Sequence, residues 1–252
     1  MANNKVEIEN NLNLIRSLIT KHKRHDHIFA GVGMFIIISL TITLLVLFLD
    51  LVFDGYPRFN LDFLTNFPSR RATAAGILSA WVGSSLVLIV TFFAAVPLGI
   101  AAGVYLEEYA KKNWFSDLIE INVTNLAGVP SIIYGLLALG LFVYGFGLGQ
   151  TILTAGLTLA LLMLPIVIVA TREAIRAIPI HIREAAYAVG ATKWQVSLHH
   201  VIQYSYGGIL TGVIIGMARA IGETAPVITI GALTFIAFLP PSPVGLEPPF
   251  IN

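Results

Sequence analysis

Residues Ile121–Thr171 have the sequence INVTNLAGVPSIIYGLLALGLFVYGFGLGQTILTAGLTLALLMLPIVIVAT. None of these fifty-one consecutive residues carries a charged side chain. Because a helix crosses the roughly 30 Å core of a bilayer with about 20 apolar residues, the stretch has room for two membrane-spanning helices. We expect the turn between them at the glycine-rich sequence Gly145–Gly149. The stretch therefore predicts an all-α membrane protein.

The composition of the whole chain indicates the same class. Of its 252 residues, 56% are hydrophobic and 12% are charged, and the mean hydropathy is +0.83. A soluble domain has about 25% charged residues, so the surplus apolar surface of this chain must face lipid. The net charge of +1 gives no indication of a nucleic-acid partner, and the absence of cysteine excludes disulfides and thiolate metal sites.

Five spans are predicted in total. The first extends from about Ile28 to Phe53, and the last begins near Gly207 and ends before Pro240. The remaining span lies in the uncharged stretch Ala72–Leu106. The fold class that we expect is a polytopic transmembrane helical bundle.

The stretch Ala72–Leu106 is longer than one span requires. As a continuous helix it would measure about 52 Å at about 1.5 Å per residue. It must therefore lie partly outside the bilayer core or be broken. The expected places for a bend are Gly83–Ser85 and Pro97–Gly99.

The distribution of Lys and Arg predicts the orientation of the spans, because cytoplasmic loops are enriched in these residues. With the N-terminus inside, eleven of the fifteen fall on the cytoplasmic side: Lys5, Arg16, Lys21, Lys23, Arg24, Lys111, Lys112, Arg172, Arg176, Arg183 and Lys193. Three fall outside, namely Arg58, Arg70 and Arg71, and Arg219 lies within a span. This bias places the polar segment Arg172–Tyr206 in the cytoplasm.

That cytoplasmic segment contains the sequence REAAYAVGATKW, residues Arg183–Trp194. Ala and Glu favour a helix and Gly favours the position after its last turn, so we expect a short helix that Gly190 ends. A plain connecting helix is the simplest interpretation of such a segment. However, Glu-Ala-Ala followed after three residues by Gly, in a long cytoplasmic loop of a membrane protein, resembles the EAA loop of ABC importer permeases.

Two further stretches resemble a narrower family. Asn125–Gly135, NLAGVPSIIYG, and Ala218–Pro226, ARAIGETAP, are similar to signatures of the A-type permease subunits of phosphate ABC importers. Pro97–Tyr109 also fits that family, and the resemblance covers about Ala72 to Leu239. It implies a type I ABC importer permease, whose core has six spans. Because Pro248–Asn252 does not resemble a terminus, we expect a sixth span beyond it rather than a version that lacks one.

The resemblance also implies partners. They are a second, PstC-like permease subunit, two PstB-like ATP-binding subunits and an external phosphate-binding protein. In the family, the EAA loop forms a coupling helix that docks on an ATP-binding subunit, which assigns coupling here to Glu184, Ala185, Ala186 and Gly190. ATP and Mg would be bound by the partner subunits, because this chain has no Walker A sequence, and we expect it to bind no cofactor and to hold no catalytic residue.

The chain departs from the family pattern after the EAA loop. Where the family usually has a Leu-Pro pair ahead of the next span, this chain has Ile202 and Gln203. The proline that normally separates the coupling helix from the span is therefore missing. Tyr206–Gly208 is the place where we expect a break in its stead.

Three regions follow from these assignments. Residues 1–27 are a cytoplasmic segment in which Ile8, Leu12, Ile15 and Ile19 share one helical face, typical of an amphipathic helix on the membrane surface. Residues 28–239 form the permease domain, with its EAA loop at about 172–206. Residues 240–252 form an external Pro-rich tail.

Arg219 and Glu223 are the candidate substrate-pathway residues. Charges at membrane depth cost about 2.5–3.5 kcal/mol each on insertion scales, so both should face protein or water. At a spacing of four they can pair with each other and fix only how the helix packs. Alternatively, Arg219 donates hydrogen bonds to a passing phosphate and Glu223 restrains that Arg, and the resemblance implies such a role in transport.

Other residues carry weaker expectations. Gly208, Gly212 and Gly216 form a small-residue stripe for helix packing, which we expect to contact the second permease. Arg70 and Arg71, at the outer mouth, either attract phosphate or the binding protein, or are solvated loop charges. The histidines His22, His25, His27, His199 and His200 do not form a convincing metal site.

The sequence leaves alternatives for the substrate and for the class of protein. A permease for molybdate or sulfate is the nearest alternative, since Arg recognises charge better than identity. An ion-coupled secondary transporter would normally show paired repeats with broken helices in both halves, which are not evident. A structural membrane subunit without a pathway does not explain Arg219 and Glu223.

Overall fold

The computed structural model describes residues 2–71, 73–111 and 113–231, and for residues 2–22, 24 and 25 it describes the backbone alone. These residues form helices connected by turns and loops, with no strand in the part described. The chain divides into two compact units, Met1–Leu61 and Asp62–Asn252. The external tail 240–252 and the end of the last predicted span, 232–239, lie outside the described residues.

The first unit is one long helix, α1 (Ala2–Gly55), followed by a single 3-10 turn at Tyr56–Arg58. The part from Asp26 to Arg58 is long and apolar enough to cross a membrane. Its apolar side chains are exposed, as expected of a surface that meets lipid or another protein. The backbone continues without a break from the predicted amphipathic segment into the predicted span. The apolar face of that segment, and His22 and His25, lie outside the described side chains.

In the second unit, the short helix α2 (Leu61–Thr65) leads to α3 (Leu78–Val104), which a π-helical turn at Tyr105–Tyr109 extends. The helix runs unbroken through Gly83–Ser85 and Pro97, so the stretch is not broken at either of the expected places. The non-helical residues 73–77 account for part of the excess length of the uncharged stretch. Trp81 Nε1 fixes the entry into α3 by donating to the Leu64 carbonyl at 3.0 Å.

The centre of this unit is α6 (Ile152–Arg176), whose side chains are mostly buried. Helix α3 approaches it closely, because a Cβ added at Gly99 would lie 2.7 Å from Val167 and one at Gly103 would lie 2.7 Å from Thr171. The core cluster where α3, α6 and α9 meet consists of Ala95, Val96, Ala160, Met163, Val167, Ile209 and Val213. Glycines therefore set the spacing of the helices and larger apolar side chains fill the space between them.

Between α3 and α6 lies a bent helix pair. Helices α4 (Trp114–Leu126) and α5 (Ser131–Ala138), the latter extended by a π-helical turn at Leu139–Gly145, meet at an angle of 104°. The Tyr134 hydroxyl closes the break by donating to the Leu126 carbonyl at 2.7 Å. Four helices of the described residues are long and apolar enough to cross a membrane. If the bent pair is one span, the count is five, which is the number that the sequence predicts.

The last described span is α9 (Ile202–Gly222), which begins earlier and ends earlier than predicted. Helical backbone continues into it from Lys193 through a π-helical turn at Val196–Val201, so the expected break at Tyr206–Gly208 is absent. The helix ends at Gly222 because Glu223 is extended, with φ −88° and ψ 114°. A short helix, α10 (Ala225–Thr229), follows this interruption.

The glycine stripe of α9 packs within this chain. A Cβ at Gly208 would lie 2.7 Å from Ala174 Cβ, one at Gly216 would lie 3.0 Å from Met163 Cγ, and one at Gly212 would overlap Ala170. All three neighbours are on α6 of this chain, whereas the sequence analysis expected the stripe to contact a second permease subunit. The reason is that spacing alone identifies a close helix contact but not the helix that makes it.

Candidate functional site

The EAA segment forms a separate short helix, α7 (Ile180–Ala188), which begins after Pro179. It ends as the sequence predicts: Gly190 has φ +85° and donates to the Tyr187 carbonyl at 3.0 Å, and Ala191 donates to the Ala186 carbonyl at 3.1 Å. This pair of bonds is a Schellman motif, which favours Gly at the left-handed position. The local sequence thus defines the length of the helix.

A second cap follows at once. Thr192 begins α8 (Lys193–Gln195) with a capping box, in which its backbone N–H donates to Gln195 Oε1 at 2.8 Å. The chain therefore separates α7 from the long helix after it by the turn at Gly190 and Ala191. A proline ahead of the span is not needed for this separation.

The predicted coupling residues do not share one environment. Glu184, Ala185 and Gly190 are exposed. Ala186 is 5% exposed and packs in an apolar cluster with Ile175, Ile178, Val196 and Val201. It holds α7 on the bundle and presents no surface to a partner.

Sequence analysis missed two exposed apolar side chains beside this helix. Val189 is 84% exposed and Trp194 is 65% exposed. Both belong to the quoted segment Arg183–Trp194, and an apolar residue directly before the Gly of a helix end is a signal that could have drawn attention to Val189. With Glu184 and Ala185, they are exposed side chains of α7, of the turn that follows it and of α8.

Three arginines that the sequence analysis used to predict the orientation, Arg172, Arg176 and Arg183, form ion pairs with carboxylates of neighbouring helices. Arg183 donates to Glu108 and to the carbonyls of Ile175 and Ile178. Beside this pair, Arg172 and Arg176 on α6 both contact two carboxylates, Glu107 of the π-helical turn and Glu120 of α4. The network joins α3, α4, α6 and α7 at one end of the bundle.

The candidate pathway residues Arg219 and Glu223 lie where α9 ends. Arg219 is in its last turn and Glu223 is the residue that caps it. Arg219 Nε and Glu223 Oε1 are 3.9 Å apart, an ion pair at a distance longer than a hydrogen bond. The Arg219 side chain is 42% exposed and the Glu223 side chain 22%. A guanidinium held this loosely keeps donors available for an anion.

The two signature stretches meet next to this ion pair. Gly135 of α5 packs against α10, because a Cβ there would lie 2.8 Å from Pro226 Cα and would overlap the Thr229 hydroxyl. Tyr134, the neighbour of Gly135, is buried at the same place. Residues about ninety positions apart in sequence are thus brought to one place, which the sequence alone did not predict.

Arg70 and Arg71 lie in the exposed loop between α2 and α3. Arg71 N donates to Ser69 Oγ at 3.2 Å, and Ala74 N donates to the Arg71 carbonyl at 3.0 Å. These bonds order the loop backbone. A role for either guanidinium at an outer mouth stays a prediction.

The chain belongs to the family described as binding-protein-dependent transport system inner membrane component, which it matches over residues 72–243. It is 40% identical over 157 residues to the phosphate transport system permease protein PstA of Mycobacterium leprae, which is 62% of this chain and 51% of that protein. It is 35% identical over 182 residues to PstA of Yersinia pestis, 70% of this chain and 60% of that protein.

A third relative is the Bacillus subtilis protein named "Probable ABC transporter permease protein YqgI", 31% identical over 204 residues, 80% of this chain and 69% of that protein. The chain spans about half the length of the mycobacterial relative. These matches confirm the resemblance stated from the sequence. The chain is a multi-pass membrane permease component and not an enzyme.

Proposed function

We propose that this chain is the transmembrane permease subunit of an ATP-driven phosphate importer. The observation that carries the proposal is the Arg219–Glu223 ion pair, at the end of α9 beside the meeting point of the two signature stretches. The names of the relatives support phosphate as the substrate. Arg219 and Glu223 contribute to a translocation path formed with a second permease subunit.

The geometry of the pair supports an oxyanion that is partly protonated. The guanidinium of Arg219 donates to anionic oxygens, and the carboxylate of Glu223 can accept a hydrogen bond from a phosphate hydroxyl. Sulfate has no proton to donate at neutral pH, so the same carboxylate repels it. This difference favours phosphate over sulfate or molybdate.

The proposal includes coupling through α7. Two ATP-binding subunits hold ATP and Mg. One of them contacts the exposed side chains of Glu184, Ala185, Val189 and Trp194, and the other contacts the counterpart of this loop on the second permease. An external binding protein delivers the substrate on the opposite side. With this orientation the N-terminus is cytoplasmic, in agreement with the distribution of Lys and Arg.

The test is ATP-dependent uptake of labelled phosphate into vesicles that hold the whole assembly, with sulfate and molybdate as competitors. Wild-type vesicles should take up phosphate, and excess sulfate should compete weakly. Arg219→Gln should abolish uptake while the subunits still co-purify, because Gln has no charge to bind the anion. Normal uptake by Arg219→Gln would reduce the ion pair to a packing role, and preferential uptake of molybdate or sulfate would reassign the substrate.

A further inference from the structure

We propose that Arg183 is a positioning residue that ties α7 to the ends of α3 and α6, so that a displacement of α7 moves both spans. The inference rests on the proposed function, since it assigns the link between the ATP-binding subunits and the pathway to one side chain. It concerns a residue outside the Glu-Ala-Ala motif and a contact that spacing did not predict.

Three elements meet on the Arg183 guanidinium. Its Nε and Nη2 atoms donate to Glu108 Oε1, at 3.1 Å and 3.0 Å. Nη1 donates to the Ile178 carbonyl at 3.2 Å, and Nη2 also donates to the Ile175 carbonyl at 3.0 Å. Glu108 belongs to the π-helical turn that ends α3, and Ile175 belongs to the last turn of α6. One side chain of α7 is thus bonded to the ends of two spans.

The chemistry of arginine suits this position. The last carbonyls of a helix have no partner within the helix and carry partial negative charge. The planar guanidinium presents five donors in a fixed fork, so it can bond a carboxylate and two carbonyls at the same time. A single ammonium group could not hold all three in that fixed geometry.

Burial distinguishes this pair from the other charges of α7. The side chains of Arg183 and Glu108 are 20% and 7% exposed, so their bonds are little screened by water. The His181–Glu184 pair on the same helix is 87% and 64% exposed. Exposed pairs of this kind contribute little, whereas removal of one partner from a buried pair leaves an uncompensated charge.

The rest of the contact under α7 is apolar and does not define a direction. Ala186 packs against Ile175, Val196 and their neighbours, which holds the helix on the bundle through contacts that are not directional. The directional bonds come from Arg183. Without them we expect α7 to stay attached and the assembly to survive, while movement of α7 is no longer passed on to α3 and α6.

The test uses the whole assembly in vesicles and compares ATPase activity with and without the phosphate-loaded binding protein. In Arg183→Gln, co-purification and basal ATPase should be retained, while the stimulation of ATPase and the uptake of phosphate should fall about ten-fold or more. The matched control is Arg176→Gln. Arg176 bonds Glu107, Glu120 and Glu173, none of them on α7, and Arg172 still pairs with the first two, so stimulation should be retained.

Each contrary outcome has a meaning. Wild-type stimulation and uptake in Arg183→Gln would overturn the inference, and so would an equal loss in Arg176→Gln. If Arg183→Gln fails to assemble, Glu108→Gln decides, because it leaves the two carbonyl bonds of Arg183 in place. A reduced stimulation ratio in that variant supports the inference, and a wild-type ratio overturns it. Wild-type vesicles that import no oxyanion would refute the proposed function itself.

Discussion

Gly190 offers the sharpest test of how the EAA segment is built. Its φ of +85° lies in the left-handed region, which costs a residue with a Cβ about 1–2 kcal/mol. A Cβ there would meet no atom of this chain within 4 Å, so the cost comes from the backbone and not from a clash. Since 1–2 kcal/mol is a factor of about 5 to 30 in population, Gly190→Val should lower the occupancy of the native turn by that factor.

The assay is co-purification of the ATP-binding subunits with the full chain, measured over a dilution series, together with ATPase activity. We expect Gly190→Val to weaken association by about 5- to 30-fold if docking requires the native turn. Gly190→Asn is the matched control, because Asn tolerates the left-handed region and should lose much less. Undiminished association in the Val variant would refute the reasoning. An equal loss in both variants would show that side-chain size at the contact, and not backbone conformation, is the cause.

Two further predictions concern the pathway and the core. Glu223→Gln should lower the ratio of phosphate to sulfate uptake by about ten-fold, because the amide no longer repels sulfate and a hydrogen bond to a charged group contributes about 1.5–3 kcal/mol; an unchanged ratio in a competition assay would exclude Glu223 from selectivity. Gly212→Leu should destabilise the bundle by about 1–3 kcal/mol, since its side chain overlaps Ala170 on α6. Gly207→Leu is the control, because a Cβ there meets nothing within 4 Å. Thermal unfolding in detergent compares the two glycine variants, and equal unfolding temperatures would contradict the close packing of α9 on α6.

Features encoded by neighbouring residues could be predicted from the sequence. The short helix that ends at Gly190 depends on residues 187–191, and the apolar stretches reveal their spans by length and composition alone. The membrane class, the family and the position of the EAA segment follow from such local patterns. In these regions the preferences of single residues agree with the final fold.

Features that depend on distant residues could not be predicted. Arg183 and Glu108 are 75 positions apart, and nothing in either local sequence indicates the other. The glycine stripe of α9 identified a close contact but not its partner, α6. Helix α9 stops at Gly222 although Glu223 is the only charged residue between it and Pro240, and Pro226 is found in the first turn of a new helix. Tertiary packing decides which side chains pair, which helices touch and where a helix ends, and a hydropathy pattern does not contain this information.

The enclosure of α6 has a consequence for the order in which a complex can form. Two of its buried hydroxyls are satisfied locally: Thr158 donates to the Thr154 carbonyl, and Thr154 donates to the Gly149 carbonyl. Helices α3 and α9 of the same chain cover its sides. We expect the contacts among α3, α6 and α9 to form without a partner subunit, because all of them lie within this chain.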